Sequence, residues 1–466
     1  MEKTNQNQMG TKPIASLIFT MGCPPIVSMF VQSMYNIVDS IFVAKLGENA
    51  LTAVSLAAPI QYILLAVSVG VGVGINSYIS RNLGADNIDE ANNTVTHSMI
   101  LALAHSVLFI ILGLLFIKPF FRIYANNDAI FSDGCSYTYI VVLLSFSLFF
   151  QLTFEKVFQA TGKMLLPTIS QIIGAILNII LDPIFIFGWF GMPKLGVTGA
   201  AIATVIGQIV SFLILLIFFI RNDSVLKIDL KLFKFDWNII KQIYAVGIPS
   251  ALMISISSIL TIALNSVLVK FSNTAVSIYG IYYRLQTFIT MPVNGLVQGI
   301  RPIIGFNYGA KDRGRIIETL KISLIVSVVL MLIGLLLFMF IPRQLLSMFS
   351  ASENMMSLGV VTLRIMSLGF LFSAISFIIS AMYESIGKGT YSLVISLVRQ
   401  CIIIIPVSMF FYKIIGLTGI WITFPVSEIA AALVCLWMFI RTCKKDEVFI
   451  KNNDYIFSSR LTSVNY

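Results

Sequence analysis

Displaced by 225 positions, the second half of the chain falls on the first. Gly22 meets Gly247, Pro24 meets Pro249 and Lys45 meets Lys270. Gln61 meets Gln286, Gly84-Ala85 meets Gly309-Ala310, and Gly162-Lys163 meets Gly387-Lys388. A constant displacement held from residue 22 to residue 163 means two copies of one folding unit. The chain must therefore build the same bundle twice and bring the two together around a pseudo-two-fold axis.

Solvent supplies the second constraint. The residues are 58% hydrophobic and only 11% charged, with a mean hydropathy of +0.92. A water-soluble domain carries roughly a quarter charged residues. Apolar runs long enough for spans of about 20 residues recur along the chain. Lipid offers the backbone no hydrogen bonds, so each span has to satisfy its own N–H and C=O groups as a helix. This predicts an all-α polytopic membrane protein with twelve spans, near 14–43, 50–79, 94–118, 135–160, 165–188, 197–220, 240–269, 275–304, 319–342, 357–385, 391–412 and 417–441. Six spans per copy is an even number, so both copies enter the bilayer in the same direction. Two parallel-repeat six-helix bundles around a central cavity follow. The expected division is a first lobe over 1–220, a linker over 221–238, a second lobe over 239–445 and a tail over 446–466.

The net charge of +10 is placed by topology rather than as a nucleic-acid surface. Nineteen Lys and Arg lie at or beyond the span ends on the side of the termini, and seven on the other. The positive-inside rule then puts both termini in the cytoplasm of a cell whose plasma membrane holds the chain. In the linker RNDSVLKIDLKLFKFDWN, basic and apolar residues alternate. This reads either as a strip lying on the anionic leaflet or as a solvated connector. The start, MEKTNQNQMGTKP, leads into an apolar stretch without a signal-peptide cleavage pattern, so the first helix is expected to remain. Five scattered cysteines show neither metal nor disulfide spacing. No HExxH, GxSxG or GxxxxGK[ST] pattern occurs, which argues against an enzyme and against an ATP-driven machine.

Ionisable side chains at bilayer depth are expensive and are functional candidates by default. Asp39, Glu155 and Asp182 qualify in the first copy. Asn36 precedes Asp39 by three residues and Asn178 precedes Asp182 by four, so each carboxylate shares a helix face with an amide. Such a cluster suits a proton, or Na⁺ held by hard oxygen ligands. Pro183 also frees the carbonyl of Ile179. The blander reading is that both acids satisfy local backbone or pair with a cation. Glu155 lies in a polar stripe with Gln151 and Gln159; Lys156 is adjacent, but successive residues diverge around a helix and need not neutralise each other.

In the second copy, Arg284 and Arg399 with Glu384 and Glu428 are candidates for internal ion pairs, which cost desolvation. Arg301 and Arg364 read as headgroup or loop anchors. His97 and His105 read as a helix-end residue and a packed core histidine rather than a proton relay. Met253, Tyr282 and Met291 are selected as cavity-lining residues for flat cations.

Five segments, YNIVDSIFVAKLG (35–47), LGA (83–85), QATGK (159–163), LNIILDPIFIFG (177–188) and GVTGAAIAT (196–204), together resemble the multidrug and toxin extrusion (MATE) family, most closely its bacterial DinF and MepA types. The resemblance implies export of cationic amphipathic drugs or dyes by alternating access, in exchange for H⁺ or Na⁺ and with no other cofactor. It places the coupling cation on Asp39, Asn178, Asp182 and Thr204, which would also ligate Na⁺. Relatives of the MepA type carry an acid at the position of Glu155 that is tied to cationic substrates, and some members place a second-lobe acid at the depth of Glu384. The expected partners are small cationic molecules and membrane lipid, with the chain acting as a monomer. The alternative within the same superfamily is a flippase for lipid-linked oligosaccharides, whose diphosphate would want Arg284, Arg301 and Arg399 in the cavity.

Overall fold

The structure, a computed structural model, describes residues 8–221, 226–228, 233–349 and 352–450. Parts of the expected linker (221–238) and most of the expected tail (446–466) lie outside the described residues. Among the described residues the secondary structure is helical throughout. The first lobe runs α1 (Ile14–Ala44), α2 (Glu48–Gly84), α3 (Ile88–Tyr124), α4a (Asp128–Leu143), α4b (Phe146–Ala160), α5 (Leu165–Phe187) and α6 (Val197–Arg221). The second runs α7 (Trp237–Leu268), α8 (Asn273–Gly309), α9 (Arg313–Phe340), α10a (Glu353–Ser367), α10b (Phe370–Ser385), α11a (Gly389–Leu397), α11b (Ile404–Ile415) and α12 (Leu417–Lys445).

Each of the twelve predicted spans has its helix or helix pair, and the chain is a multi-pass membrane protein. Nine spans are long and apolar enough by themselves, and the bent pairs α4 and α10 supply two more. The twelfth, α8, is 37 residues long but carries Arg284, Gln286, Asn294, Gln298 and Arg301, which dilute its hydropathy. The repeat extends to helix shape. The fourth helix of each lobe is broken at the same place, with a bend of 44° in α4 and 46° in α10. In α11 the two halves are joined by a π turn over Val398–Ile402.

The repeated glycines explain how the lobes meet. A Cβ on Gly84 would collide with the carbonyl oxygen of Phe306, and a Cβ on Gly309 with that of Arg81. The shift that carries Gly84 to Gly309 also carries Arg81 to Phe306, so this is one contact made twice across the pseudo-two-fold axis. Only glycine lets α2 and α8 touch backbone to backbone there. The outer seams repeat as well: a Cβ on Gly70 of α2 would lie 2.7 Å from Ala251 of α7, and one on Gly295 of α8 would collide with Ile26 of α1. Ser77 Oγ adds a hydrogen bond to the Ser385 carbonyl in the other lobe at 2.9 Å.

Packing separates a sealed end from a divided one. A single core contains Leu17, Ile75, Ile79 and Leu83 of the first lobe with Ile243, Ile300, Ile304 and Phe306 of the second. It lies at the end where α1 begins and α12 finishes. Toward the loops of Lys45 and Lys270 each lobe has its own core, around Val43, Ala57 and Phe121 in one and Leu268, Phe338 and Trp421 in the other.

The described parts of the linker are pinned to the start of α3. Asn93 Nδ2 donates to the Lys234 carbonyl at 3.0 Å, Asn92 accepts from the Lys227 N–H at 2.8 Å, and His97 accepts from the Asp236 N–H at 2.9 Å. Phe233 and Phe235 pack on the His97 ring. The first described tail residue is held too: Asp446 accepts from Lys388 at 2.6 Å and from the Tyr308 hydroxyl at 3.0 Å.

If the glycine contact seals this end, Gly84→Val combined with Gly309→Val must open it by overpacking. A cysteine introduced at Ser77, in a chain whose natural cysteines are replaced, is buried now. Its maleimide labelling should accelerate by about tenfold or more, the rate equivalent of a strain of 1–3 kcal/mol. Unchanged labelling would show that the seal rests elsewhere.

Candidate functional site

Two helices of the first lobe each present a polar pair one turn apart: Tyr35 and Asp39 on α1, Asn178 and Asp182 on α5. Thr204 joins from α6. With the Asn178 amide oriented to suit its neighbours, its nitrogen donates to Asp182 Oδ2 at 3.1 Å and its oxygen accepts from the Thr204 N–H at 3.0 Å. The Tyr35 side chain lies beside that of Thr204. Asp39 and Asp182 are neighbours across the two helices, and two carboxyls this close can hydrogen-bond only when one of them carries a proton. Tyr137 of α4a stands close to both acids and accepts from Gln61 Nε2 at 2.9 Å. Asp39 Oδ1 and Asp182 Oδ1 are buried without a hydrogen-bond partner among the described residues.

All four positions expected to hold a coupling cation thus lie in one cluster. Tyr35, Tyr137 and Gln61 were missed in the sequence. Tyr35 was legible, being four residues before Asp39 as Asn178 is before Asp182. Tyr137 and Gln61 come from helices that no local spacing connects to α1. Asn36, selected with Asp39, is exposed while Tyr35 turns into the cluster.

Deeper toward the sealed end lies a second network. Glu155 and Lys156 are only 3% and 5% exposed, and Lys156 Nζ is 2.9 Å from Glu155 Oε1. Adjacent helix positions need not neutralise each other, but here they do. A lysine stem is long enough to fold back, and burial leaves its ammonium no water to turn to. Gln159 donates to Glu155 Oε1 at 2.9 Å and accepts from Lys156 at 3.0 Å. Gln171 of α5 donates to Glu155 Oε2, and Ser28 of α1 donates to the Gln171 oxygen. Gln151 is also buried, with its Oε1 unpaired.

Of the four second-lobe residues named for ion pairs, three are paired, and one of the partners comes from outside that set. Glu384 pairs with Arg301 rather than Arg284, at 2.6 Å, and accepts from Ser250 Oγ at 3.0 Å. The Arg301 approach lies off the hydrogen-bond axis, so it is chiefly a charge contact. Arg301, read as an anchor, is therefore a partner in the bundle, because α8 turns it toward α10b. Arg284 is exposed and has no carboxylate within ion-pair distance among the described residues. Arg399 pairs with Glu428 at 3.5 Å, as expected, and lies over the Phe377 ring.

Of the residues chosen as cavity lining, Tyr282 is corrected. It is 1% exposed and packed between Phe338 and Phe424, inside the second core. Met291 is buried and Met253 half-buried. Arg364 donates to the Met339 carbonyl at 3.1 Å, an anchor as expected. His105 stacks on Phe149 and bonds the Tyr244 hydroxyl at 3.0 Å.

Comparison with known proteins agrees with this architecture. The MatE family model matches twice, over residues 24–184 and 249–410. The multidrug export protein MepA of Staphylococcus aureus is 25% identical over 445 residues, covering 95% of this chain and 97% of the relative. MepA of Staphylococcus saprophyticus is 26% identical over 414 residues, covering 89% and 90%. Among solved structures, an outward-facing multidrug resistance MATE family transporter of the MOP superfamily superposes with a TM-score of 0.87 at 27% identity, covering 93% of this chain and 97% of that one. A MOP superfamily transporter from Pyrococcus furiosus, described as having a binding pocket of reversed polarity, gives the same TM-score and identity, covering 95% and 99%.

The Arg301–Glu384 pair gives a direct test of this charge pattern. Glu384→Gln leaves the half-buried Arg301 guanidinium without its counter-charge and should destabilise the protein by about 3 kcal/mol, whereas Arg301→Leu with Glu384→Leu should cost much less. Denaturation midpoints in detergent would measure both, and equal losses would show that the pair is not internally compensated.

Proposed function

Because the chain belongs to the MatE family, we propose that it is a secondary transporter that exports cationic amphipathic compounds across the cell membrane in exchange for H⁺ or Na⁺. One observation supports this reading above the rest. Glu155, Glu384 and Glu428 each have a cationic side chain within ion-pair distance, whereas Asp39 and Asp182 have only each other and neutral groups. Two carboxylates that close cannot both stay charged at reasonable cost in a buried site. A mobile cation resolves the conflict: one proton shared between the acids, or Na⁺ ligated by Asp39, Asp182, the Asn178 amide and the Thr204 hydroxyl. No further cofactor is required.

In the proposed cycle the end sealed by α2 and α8 faces the cytoplasm, in line with its lysines and arginines, and the divided end faces outward. Drug enters when the lobes part at the cytoplasmic end and leaves when they reseal. Cation arriving from outside at Asp39 and Asp182 drives the return. The protein works as a monomer, since each chain carries both lobes. The flippase reading is weakened: Arg301 and Arg399 are each tied to a carboxylate, leaving Arg284 alone for a diphosphate.

Proteoliposomes loaded with ethidium and given a proton gradient, then a sodium gradient, test the proposal and select the ion. Asp182→Asn should abolish gradient-driven efflux with normal expression, and Asp39→Asn should reduce it at least about tenfold, as expected when a group that acts only through its charge is neutralised. Near-normal efflux in Asp182→Asn would sink the reading.

A further inference from the structure

The most buried cation in the first lobe is neither at a helix end nor in a loop. Lys156 lies on α4b in the middle of the bundle, and its ammonium has three acceptors. Glu155 Oε1 is at 2.9 Å, Gln159 Oε1 at 3.0 Å and Gln298 Oε1 at 3.5 Å. The first two belong to its own helix. Gln298 belongs to α8 of the other lobe, and it reaches Lys156 because Gly295 and Gly299 let α8 lie against α1. Room for the lysine stem comes from Gly72 of α2, where a Cβ would lie 2.7 Å from Lys156 Cγ. The seat is therefore built for an ammonium, and its third and longest contact comes from the other lobe.

We propose that Lys156 is a tethered stand-in for the transported cation, occupying the Glu155 seat in the sealed form and displacing the substrate from it. The proposal rests on the reading above that the chain exports cations. When the terminal end opens, α8 moves away from the first lobe and takes Gln298 with it. The ammonium then keeps two acceptors and gains access to water, so an organic cation can compete for the Glu155 carboxylate. Resealing returns Gln298, Lys156 recovers its third acceptor, and the substrate loses its counter-charge. The seat stays near neutral throughout, because one cation replaces another, and no buried carboxylate is left bare. The preferred substrate is then a monovalent organic cation: a neutral molecule would have nothing to exchange with, and an anion would meet Glu155.

Ethidium binding to the purified full-length chain in nanodiscs tests this, read by fluorescence at about pH 8.5, where carboxyls are ionised in water. Lys156→Met removes the competitor, so ethidium should bind about tenfold tighter or more, a difference of roughly 1.4 kcal/mol. Its export in proteoliposomes should slow, because nothing expels it. Adding Glu155→Gln to Lys156→Met should erase the gain, and Lys156→Arg should retain wild-type affinity. If Lys156→Met fails to fold, Lys156→Gln, which can still hydrogen-bond Gln159, carries the same expectation. An unchanged or weaker ethidium affinity in a folded neutral variant overturns the proposal. Absence of gradient-driven ethidium flux in the wild type would instead count against cation export itself, a separate measurement from the affinity ratio.

Discussion

The lobes are held together where backbone meets backbone. At Gly84 and Gly309 no side chain intervenes between α2 and α8, so the contact cannot slacken by rotamer changes. It is made or it is lost, which is how a packed interface becomes bistable. Much of the sealed form depends on it. The shared core around Ile79 and Ile304 exists because the helices are close enough for one layer of side chains to serve both lobes. The same proximity lets Ser77 reach Ser385 and brings Gln298 to Lys156. The glycines kept at a fixed displacement in the sequence are the points at which the two copies touch.

Charge is distributed with less symmetry than shape. Buried acids in both lobes are compensated from within, by Lys156, Arg301 and Arg399. Each arrangement avoids the several kcal/mol that an isolated buried charge would cost, though none is thereby a source of net stability. Asp39 and Asp182 are the exception. Their surroundings are oxygen-rich and neutral, built from tyrosine, amide and hydroxyl groups, and one oxygen of each carboxylate makes no hydrogen bond among the described residues. The scaffold is thus repeated, while the chemistry that needs an outside cation is confined to the first copy.

The sequence carried the architecture well because lipid leaves so few options. Repeat, span number and the grouping of Asp39, Asn178, Asp182 and Thr204 all emerge in the folded chain. Failures came where side-chain reach or helix rotation decides the outcome. Neighbouring positions gave no warning that Lys156 would fold back onto Glu155. For Arg301, position near a helix end suggested an anchor, and only the packing of α8 on α10b reveals its carboxylate. An aromatic on a membrane helix reads the same on either face, so the sequence does not distinguish Tyr282 in the core from a cavity residue. One detail runs the other way. The two MatE matches begin 225 residues apart and end 226 apart, and the π turn over Val398–Ile402 is the means by which a helix absorbs one extra residue. That turn carries Arg399, whose counterpart the first copy lacks.

The cation cluster and the Glu155 seat are distinct, but the same two helices build both. On α1, Asp39 stands three turns from Ser28; on α5, Asp182 stands three turns from Gln171. Ser28 donates to Gln171, and Gln171 donates to Glu155. Any change in how tightly the two aspartates draw α1 and α5 together is therefore imposed on the hydrogen bonds that orient Glu155. The helices are continuous between the two levels, and α1 carries Pro24 and Pro25 just beyond Ser28, where backbone hydrogen bonds are missing and bending is cheap. Linkage of ion to substrate in the proposed cycle then needs no extended pathway. It needs only that a pair of helices holding two carboxylates at one level hold the substrate's counter-charge at the next.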